Sequence, residues 1–183
     1  MDIFCKIDKE LKNQIIDETD NFYIIHDGFP LIEAHLLLIP KKHLDCYLNL
    51  DKKYYSEFSK LKKRIIKFLT ENYIEPVIFE HGVIGQTVPH AHLHFLPTKL
   101  LIIDYLKKNS RSNKKSVPYL YFEYHNNSFY FQPKKQIKSG YLHLIYSKIL
   151  NRSVNGIERK KDLNIWLNKV NKKYKQWVKK EKK

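Results

Sequence analysis

Three histidines alternate with apolar residues in His90-Ala91-His92-Leu93-His94. On a β-strand alternate side chains share one face, so this spacing predicts three imidazoles in a row, about 7 Å between neighbours if the strand is straight and closer if it bends. Ala91, Leu93 and Phe95 would then point to a core. A neutral imidazole offers one donor and one acceptor and titrates near neutral pH. A row of them can hold an anion, deliver a proton and attack an electrophile. Two chemistries compete for such a row. One is metal binding, since imidazole is a common zinc ligand. The other is covalent phosphoryl or nucleotidyl transfer through a histidine nucleophile. A polar surface strand is the plain alternative. Three histidines in period two, preceded by Gly85-Gln86-Thr87-Val88-Pro89, argue against it.

The row needs neighbouring elements to hold it. Phe22–His26 reads as a short strand that stops at the turn residues Asp27-Gly28-Phe29-Pro30. The apolar run His35–Pro40 reads as a strand covered on both faces, ended by proline. Residues 51–73 carry apolar groups at helical spacing behind Asp51, a fair N-cap. Pro76–Glu80 and Ala91–Pro97 read as further strands. Beyond Pro97 the pattern changes. A short helix is expected over 100–106 and a polar loop over 109–115. Runs 119–124 and 128–131 flank His125-Asn126-Asn127 as a hairpin. Helices are expected over 136–150 and through Leu163–Val178, the latter with an apolar docking stripe. The expected class is α+β: a mainly antiparallel sheet with one long helix, plus a C-terminal hairpin and helices. The expected division is 1–98 for a catalytic domain and 99–183 for an extension.

The chain has 183 residues, with 34 Lys+Arg against 19 Asp+Glu and a net charge of +15. Such a charge draws in anions but does not choose among nucleotides, nucleic acids and membranes. Solvated lysine-rich faces would give the same count. Hydrophobic content of 43% rules out wholesale disorder. Two cysteines, Cys5 and Cys46, make no disulfide framework. No apolar run reads as a signal peptide or approaches a membrane span, so no membrane partner and a cytoplasmic setting are expected.

The stretch Gly85–Pro97 resembles the signature of the histidine triad family nearly in full. A second block, His26-Asp27, Pro30 and His35–His43, agrees in order and spacing, and Ile3–Ile7 adds a weaker match. The resemblance covers residues 1 to about 98. It implies an antiparallel sheet with a long helix, a homodimer and hydrolysis at the α-phosphorus of a nucleotide through a nucleotidyl-histidine intermediate. It implies His92 as nucleophile, with its other ring nitrogen held by a backbone carbonyl near His90. His94 would contact phosphate or leaving group and help protonate the latter. His35 would support His90, Asp27 would bind ribose hydroxyls, and Gln86 and Thr87 would sit beside the phosphates. The scheme calls for no cofactor. Related sugar nucleotidyltransferases replace the last histidine of the triad by glutamine, so His94 favours a hydrolase. Dinucleoside polyphosphates and nucleoside phosphoramidates are the implied substrates.

The chain also departs from the pattern. Some members carry an amide eleven residues before the first triad histidine, where this chain has Phe79 in Phe79-Glu80-His81-Gly82. Some hold structural zinc with an N-terminal Cys-x-x-Cys and histidines. Here Asp2 stands for the first cysteine, so no metal is expected, although Cys5, His43 and His90 could contribute. His125 and His143 read as structural or exposed. The basic run Lys172–Lys183 allows contact with nucleic acid. It leaves room for two further readings: removal of adenylate from nucleic-acid ends, and a non-catalytic nucleotide sensor or RNA-associated scaffold.

Overall fold

The structure, a computed structural model, describes residues 2–182. Its strands are β1 (Ile15–Glu18), β2 (Phe22–His26), β3 (Leu36–Pro40), β4 (Val77–Gly82), β5 (Leu93–Leu96), β6 (Ser110–Ser112), β7 (Tyr119–Tyr124) and β8 (Asn127–Pro133). The helices are α1 (Ile7–Glu10), α2 (Tyr55–Asn72), α3 (Ile103–Asn109), α4 (Tyr141–Ile149), α5 (Gly156–Arg159) and α6 (Leu163–Glu181). All eight strands join one sheet in the order β1-β2-β3-β5-β4-β7-β8-β6. Neighbouring strands pair antiparallel throughout. The class is α+β, as the patterning predicts.

Alternation along the strands divides the core between two faces. On one face Phe22, Ile24, Leu36, Leu38 and Phe95 pack against Ile65 and Phe68 of α2 and Tyr174 and Trp177 of α6. This is where the apolar stripe of the last helix docks. On the other face Tyr23, Ile25 and Leu37 meet Phe4 and Ile7. Further along that face Phe79, Leu96 and Phe122 meet Leu106, Leu142 and Tyr146. Among the described residues no helix is long and apolar enough to cross a membrane.

The sheet does not stop where the family-like pattern stops. β4 pairs with β5 on one edge and with β7 on the other, so the hairpin extends the same sheet. Its turn residues His125 and Asn126 have φ of 47° and 61°, the pair of positive values that a tight two-residue hairpin turn requires.

Three local expectations are corrected. The segment 109–115 is not all loop: Ser110–Ser112 forms edge strand β6 against β8. Its side chains are largely exposed, so it carries no apolar alternation to read. The helix expected over 136–150 begins only at Tyr141, because Gly140 adopts φ 70° and cannot continue a right-handed helix backwards. The histidine row lies only partly on a strand. β5 begins at Leu93, and His90 and His92 precede it.

Candidate functional site

β5 runs between β3 and β4, with His94 opposite Leu37 on one side and Phe79 on the other. That register places the His94 ring on the Phe4–Phe79 face. Phe79 stacks on it at 4.4 Å between centroids and 9° between planes. Ahead of the strand Pro89 sits in a tight turn, closed by the His90 N–H on the Val88 carbonyl at 2.8 Å. This turn bends the row, and the His92 and His94 rings lie 4.9 Å apart. His92 Nδ1 donates to the His90 carbonyl at 2.6 Å. A neutral ring so held carries its free lone pair on Nε2. The ring lines a cavity of about 460 Å³, whose walls include Ile25, Asp27, Thr87, His94 and His143.

Asp27 sits among three imidazoles. Its Oδ1 accepts the Phe29 N–H at 2.7 Å. Its Oδ2 lies 3.4 Å from His143 Nε2, 3.6 Å from His94 Nδ1 and 3.8 Å from His35 Nε2. Four such donors could in principle surround an ion, but the hydrogen bonds favour a proton network. The Leu31 N–H points at His35 Nδ1 at 3.4 Å, so the proton of a neutral His35 resides on Nε2. His35 Nε2 then donates to His94 Nδ1 at 3.1 Å. The proton of His94 is thereby placed on its own Nε2, a buried nitrogen with no partner among the described residues. A ligand acceptor in the cavity would complete it.

Burial sets the charge state of this row. It pushes His92 down to about 4, and the bond to the His90 carbonyl and the Asp27 charge recover only part of that shift. It pushes His35 down to about 3 against the opposing pull of Asp27. His94 and His81 are held well below the usual imidazole range, first by burial and then by the neighbouring rings. Burial alone would raise Asp27. The facing His35 and His143 and the Phe29 N–H outweigh it and keep the carboxyl ionised. At neutral pH His92, His35, His94 and His81 are therefore neutral rings, beside the ionised Asp27.

The segment after residue 98 forms part of this wall. The Leu142 N–H in the first turn of α4 donates to His81 Nε2 at 3.0 Å. The Gly140 N–H donates to the Gly85 carbonyl at 2.7 Å, and the Ser139 hydroxyl to the Gln86 carbonyl at 2.7 Å. Gly85, at φ 76°, lies where a Cβ would come within 2.9 Å of Ile137. At Gly82 a Cβ would fall 2.2 Å from the Tyr119 ring. Glu80 accepts from the Tyr119 hydroxyl at 2.5 Å and from the Tyr47 N–H at 2.9 Å. The stretch Phe79–Gly82 therefore fastens the C-terminal segment to the site. His143, on α4, is brought to Asp27 by this fastening.

A second cluster lies beside His90. Asp2 Oδ2 and Cys5 Sγ are 3.0 Å apart, and Asp2 Oδ2 and His43 Nδ1 are also 3.0 Å apart. His90 Nδ1 is 3.2 Å from Asp2 Oδ1 and 3.6 Å from Cys5 Sγ. One thiol, two imidazoles and one carboxylate are a donor set that suits zinc, and four ligands are what a structural site needs. The other nitrogen of His90 donates to the Pro40 carbonyl at 2.9 Å, the arrangement usual for a metal-ligating histidine. The residues fit the ion. The expectation of no metal rested on the missing cysteine, and the structure brings the Asp2 carboxylate to its place.

A family model for the HIT domain, the histidine triad domain, matches residues 8–100. The chain belongs to the histidine triad family. It is 36% identical over 106 residues to the adenosine 5'-monophosphoramidase of Candida albicans, covering 53% of this chain and 70% of that one. It is 28% identical over 121 residues to a HIT-like protein of Mycoplasma pneumoniae, covering 63% and 83%. Among solved structures, a HIT family hydrolase from Clostridium thermocellum aligns with a TM-score of 0.45 at 29% identity, covering 53% of this chain and 90% of that one.

For this histidine triad protein, the structure brings His90, His92, His94, His35, Asp27 and Thr87 together at or beside the cavity. Two expected contacts are not made as anticipated. His35 bonds to His94 and not to His90, because β3 pairs with β5 and the His90 ring turns away to Pro40. The Gln86 side chain donates to the Asp45 carbonyl at 2.7 Å, on the exposed side of its loop. Sequence reasoning missed His143. Its partner Asp27 lies 116 residues earlier, so no local pattern marks the pair.

Proposed function

We propose that this histidine triad protein hydrolyses a nucleoside phosphoramidate, or a dinucleoside polyphosphate, through a covalent nucleotidyl intermediate on His92. The observation that carries the reading is the 2.6 Å bond from His92 Nδ1 to the His90 carbonyl. It leaves Nε2 as a neutral nucleophile, which needs no prior deprotonation. His92 Nε2 attacks the α-phosphorus, and the leaving group departs. Water then attacks the same phosphorus, and His92 leaves. The unpartnered His94 Nε2–H donates to a non-bridging phosphate oxygen. Thr87, on the cavity wall, adds a hydroxyl near the phosphates. Because both Asp27 oxygens already face protein groups, its part is to hold histidines and not ribose. The phosphoramidate class is favoured by the Candida albicans relative, an adenosine 5'-monophosphoramidase.

Asp2, Cys5, His43 and His90 would hold a structural zinc ion. When bound, it ties the N-terminal turn to the backbone whose carbonyl orients His92. No chemical step passes through it.

The basic helix α6 packs on the sheet face opposite the triad. Its lysines therefore do not lead a nucleic-acid end into the cavity, and a small nucleotide substrate is the better fit.

The test is rapid quench with adenosine 5'-phosphoramidate followed by mass spectrometry of the peptide containing His92. An adenylated peptide in the wild type is expected, with turnover lowered about 10⁴-fold or more in His92→Gly. Undiminished turnover in that variant would remove the histidine nucleophile.

A further inference from the structure

The Phe79-Glu80-His81-Gly82 stretch and the Gly85-Gln86 loop both fasten the C-terminal segment, yet nothing in the reaction as described uses what that segment brings. It brings one titratable ring into the cavity. His143 sits on the third residue of α4, and that turn is pinned at Leu142 by His81 and at Gly140 by Gly85. The ring is 5.1 Å from both the His35 and the His94 rings. Its Nε2 faces Asp27 Oδ2 at 3.4 Å, and 15% of the side-chain surface stays open on the cavity wall.

The rings around His143 are not equivalent. His92 is committed to the phosphorus. His94 receives its proton placement from His35 and offers Nε2–H. His81 accepts from the α4 backbone and is fully buried. His143 makes the shortest of the three ring contacts to the Asp27 carboxylate, 3.4 Å against 3.6 Å for His94 and 3.8 Å for His35, and those two rings are bonded to each other. A carboxylate so placed orients the ring and fixes which nitrogen faces the cavity, the role that Asp plays behind a histidine acid-base in a hydrolase triad. Phe79 is apolar and stacked on His94, so no polar side chain at that position can serve the leaving group.

We propose that His143, delivered by the C-terminal segment and held by Asp27, is the acid that protonates the departing group. The assignment rests on the nucleotidyl-histidine reading above. In the first step the bond from His92 Nε2 to the α-phosphorus forms and the bond to the leaving nitrogen or oxygen breaks. The electron pair goes to that leaving atom, which takes the proton from His143 Nδ1. In the second step the now neutral His143 takes a proton from water as the water oxygen bonds to phosphorus. The phosphorus–nitrogen electron pair returns to His92, and the nucleoside monophosphate leaves. His143 ends as it began.

The test is a leaving-group series of adenosine 5'-phosphoryl substrates, from alkylamines, which need a proton to depart, to p-nitrophenolate, which does not. Wild type, His143→Ala, His143→Asn and His92→Gly are compared, with far-UV circular dichroism as a check on folding. The expected result is a fall in kcat/KM of about 10²–10⁴-fold for alkylamine substrates in both His143 variants. For p-nitrophenolate the fall should be less than about tenfold, so the dependence on leaving-group basicity steepens. His92→Gly should lose all substrates alike, and retention of activity there would overturn the nucleophile reading on its own. An equal loss across the series in the His143 variants, or no loss, would overturn the acid assignment. If His143→Ala fails to fold, His143→Asn decides by the same criterion.

Discussion

The molecule builds two clusters in which histidines gather round an aspartate, one on each side of His92, and the two behave differently. At the edge cluster, Asp2 meets a thiol and two imidazoles, and the far nitrogen of His90 donates to a carbonyl. That pattern leaves lone pairs converging on a common centre, which suits a cation. At the inner cluster, Asp27 meets three imidazoles, but a backbone N–H occupies the far nitrogen of His35. That pattern places a proton between His35 and His94 and directs another into the cavity. The donor count is similar, and what differs is the group behind each ring. A second hydrogen bond on an imidazole decides whether the first nitrogen holds a metal or passes a proton.

The sharpest way to break this distinction is to remove the relay without emptying its space. His35→Asn reaches the Leu31 N–H but cannot reach His94, so the proton placement on His94 is lost. We expect kcat to fall about 10²-fold with little change in KM. His35→Gln carries an amide donor closer to the Nε2 position and should recover part of the loss. Steady-state kinetics on the best phosphoramidate decides, and equal activity in both variants would show that His35 only fills space.

Acid exposes the inner cluster next. His92 and His35 have folded-state values depressed to about 4 and about 3, mainly by burial. Between those values and about 6.5 the unfolded chain binds more protons, so stability is present above about 6.5 and is lost as pH falls. His92 alone contributes roughly 3 kcal/mol over that window at about 1.4 kcal/mol per pH unit. Urea midpoints at pH 7 and pH 4.5 measure it. A slope reduced by about one proton in a His92→Gln protein, with the remainder left by His35, His81 and His94, would assign that share to this ring.

The edge cluster answers to chelation. Zinc at a hundredfold excess over its dissociation constant stabilises a folded protein by about 2.7 kcal/mol. At this chain length that is roughly 5–10 °C in Tm. We expect EDTA to lower the wild-type Tm by that amount and to leave Cys5→Ser unmoved. His143→Asn should respond to EDTA like the wild type, because it belongs to the other cluster. Metal analysis of the same samples should give one zinc per wild-type chain.

The two clusters were not equally legible in the sequence. The triad, β2, β3, the long helix and the hairpin follow from period-two and helical spacing, because each buries a continuous apolar face. Strands β1 and β6 escaped that reading. Ile15–Glu18 and Ser110–Ser112 are short edge strands with half-exposed or exposed side chains. The bend that takes His90 and His92 off β5 comes from the Pro89 turn, so the row is not the straight ladder that alternation suggests. Asp2 was passed over because cysteine counting does not register a carboxylate. His143 carries no local signal at all. Only the fastening by His81 and Gly85, invisible before β4 is known to pair with β7, turns it toward Asp27.

Glu80 provides the control that sharpens the comparison most finely. It is a buried carboxylate that no histidine faces. Its partners are the Tyr119 hydroxyl and the Tyr47 N–H. Burial pushes it up to about 7, with those two bonds offsetting part of the rise. The sign is opposite to that of the histidines. The folded state binds the extra proton, so the stability Glu80 contributes is full below about 4.5 and is lost as pH rises through about 7. Glu80→Gln keeps an acceptor for the Tyr47 N–H, turns the other bond round so that its amide donates to the Tyr119 hydroxyl oxygen, and removes the charge. We expect it to be about 1–2 kcal/mol more stable than wild type above pH 7.5 and equal to it near pH 4.5. Because the Glu80 loss and the histidine gain overlap between about pH 4.5 and 6.5, the wild-type profile should be less steep there than the histidines alone would make it. The variant should show the steeper histidine slope alone. Parallel urea profiles for the two proteins would instead mean that Glu80 is ionised or protonated throughout, and that aspartates differ from it for some reason other than the rings they face.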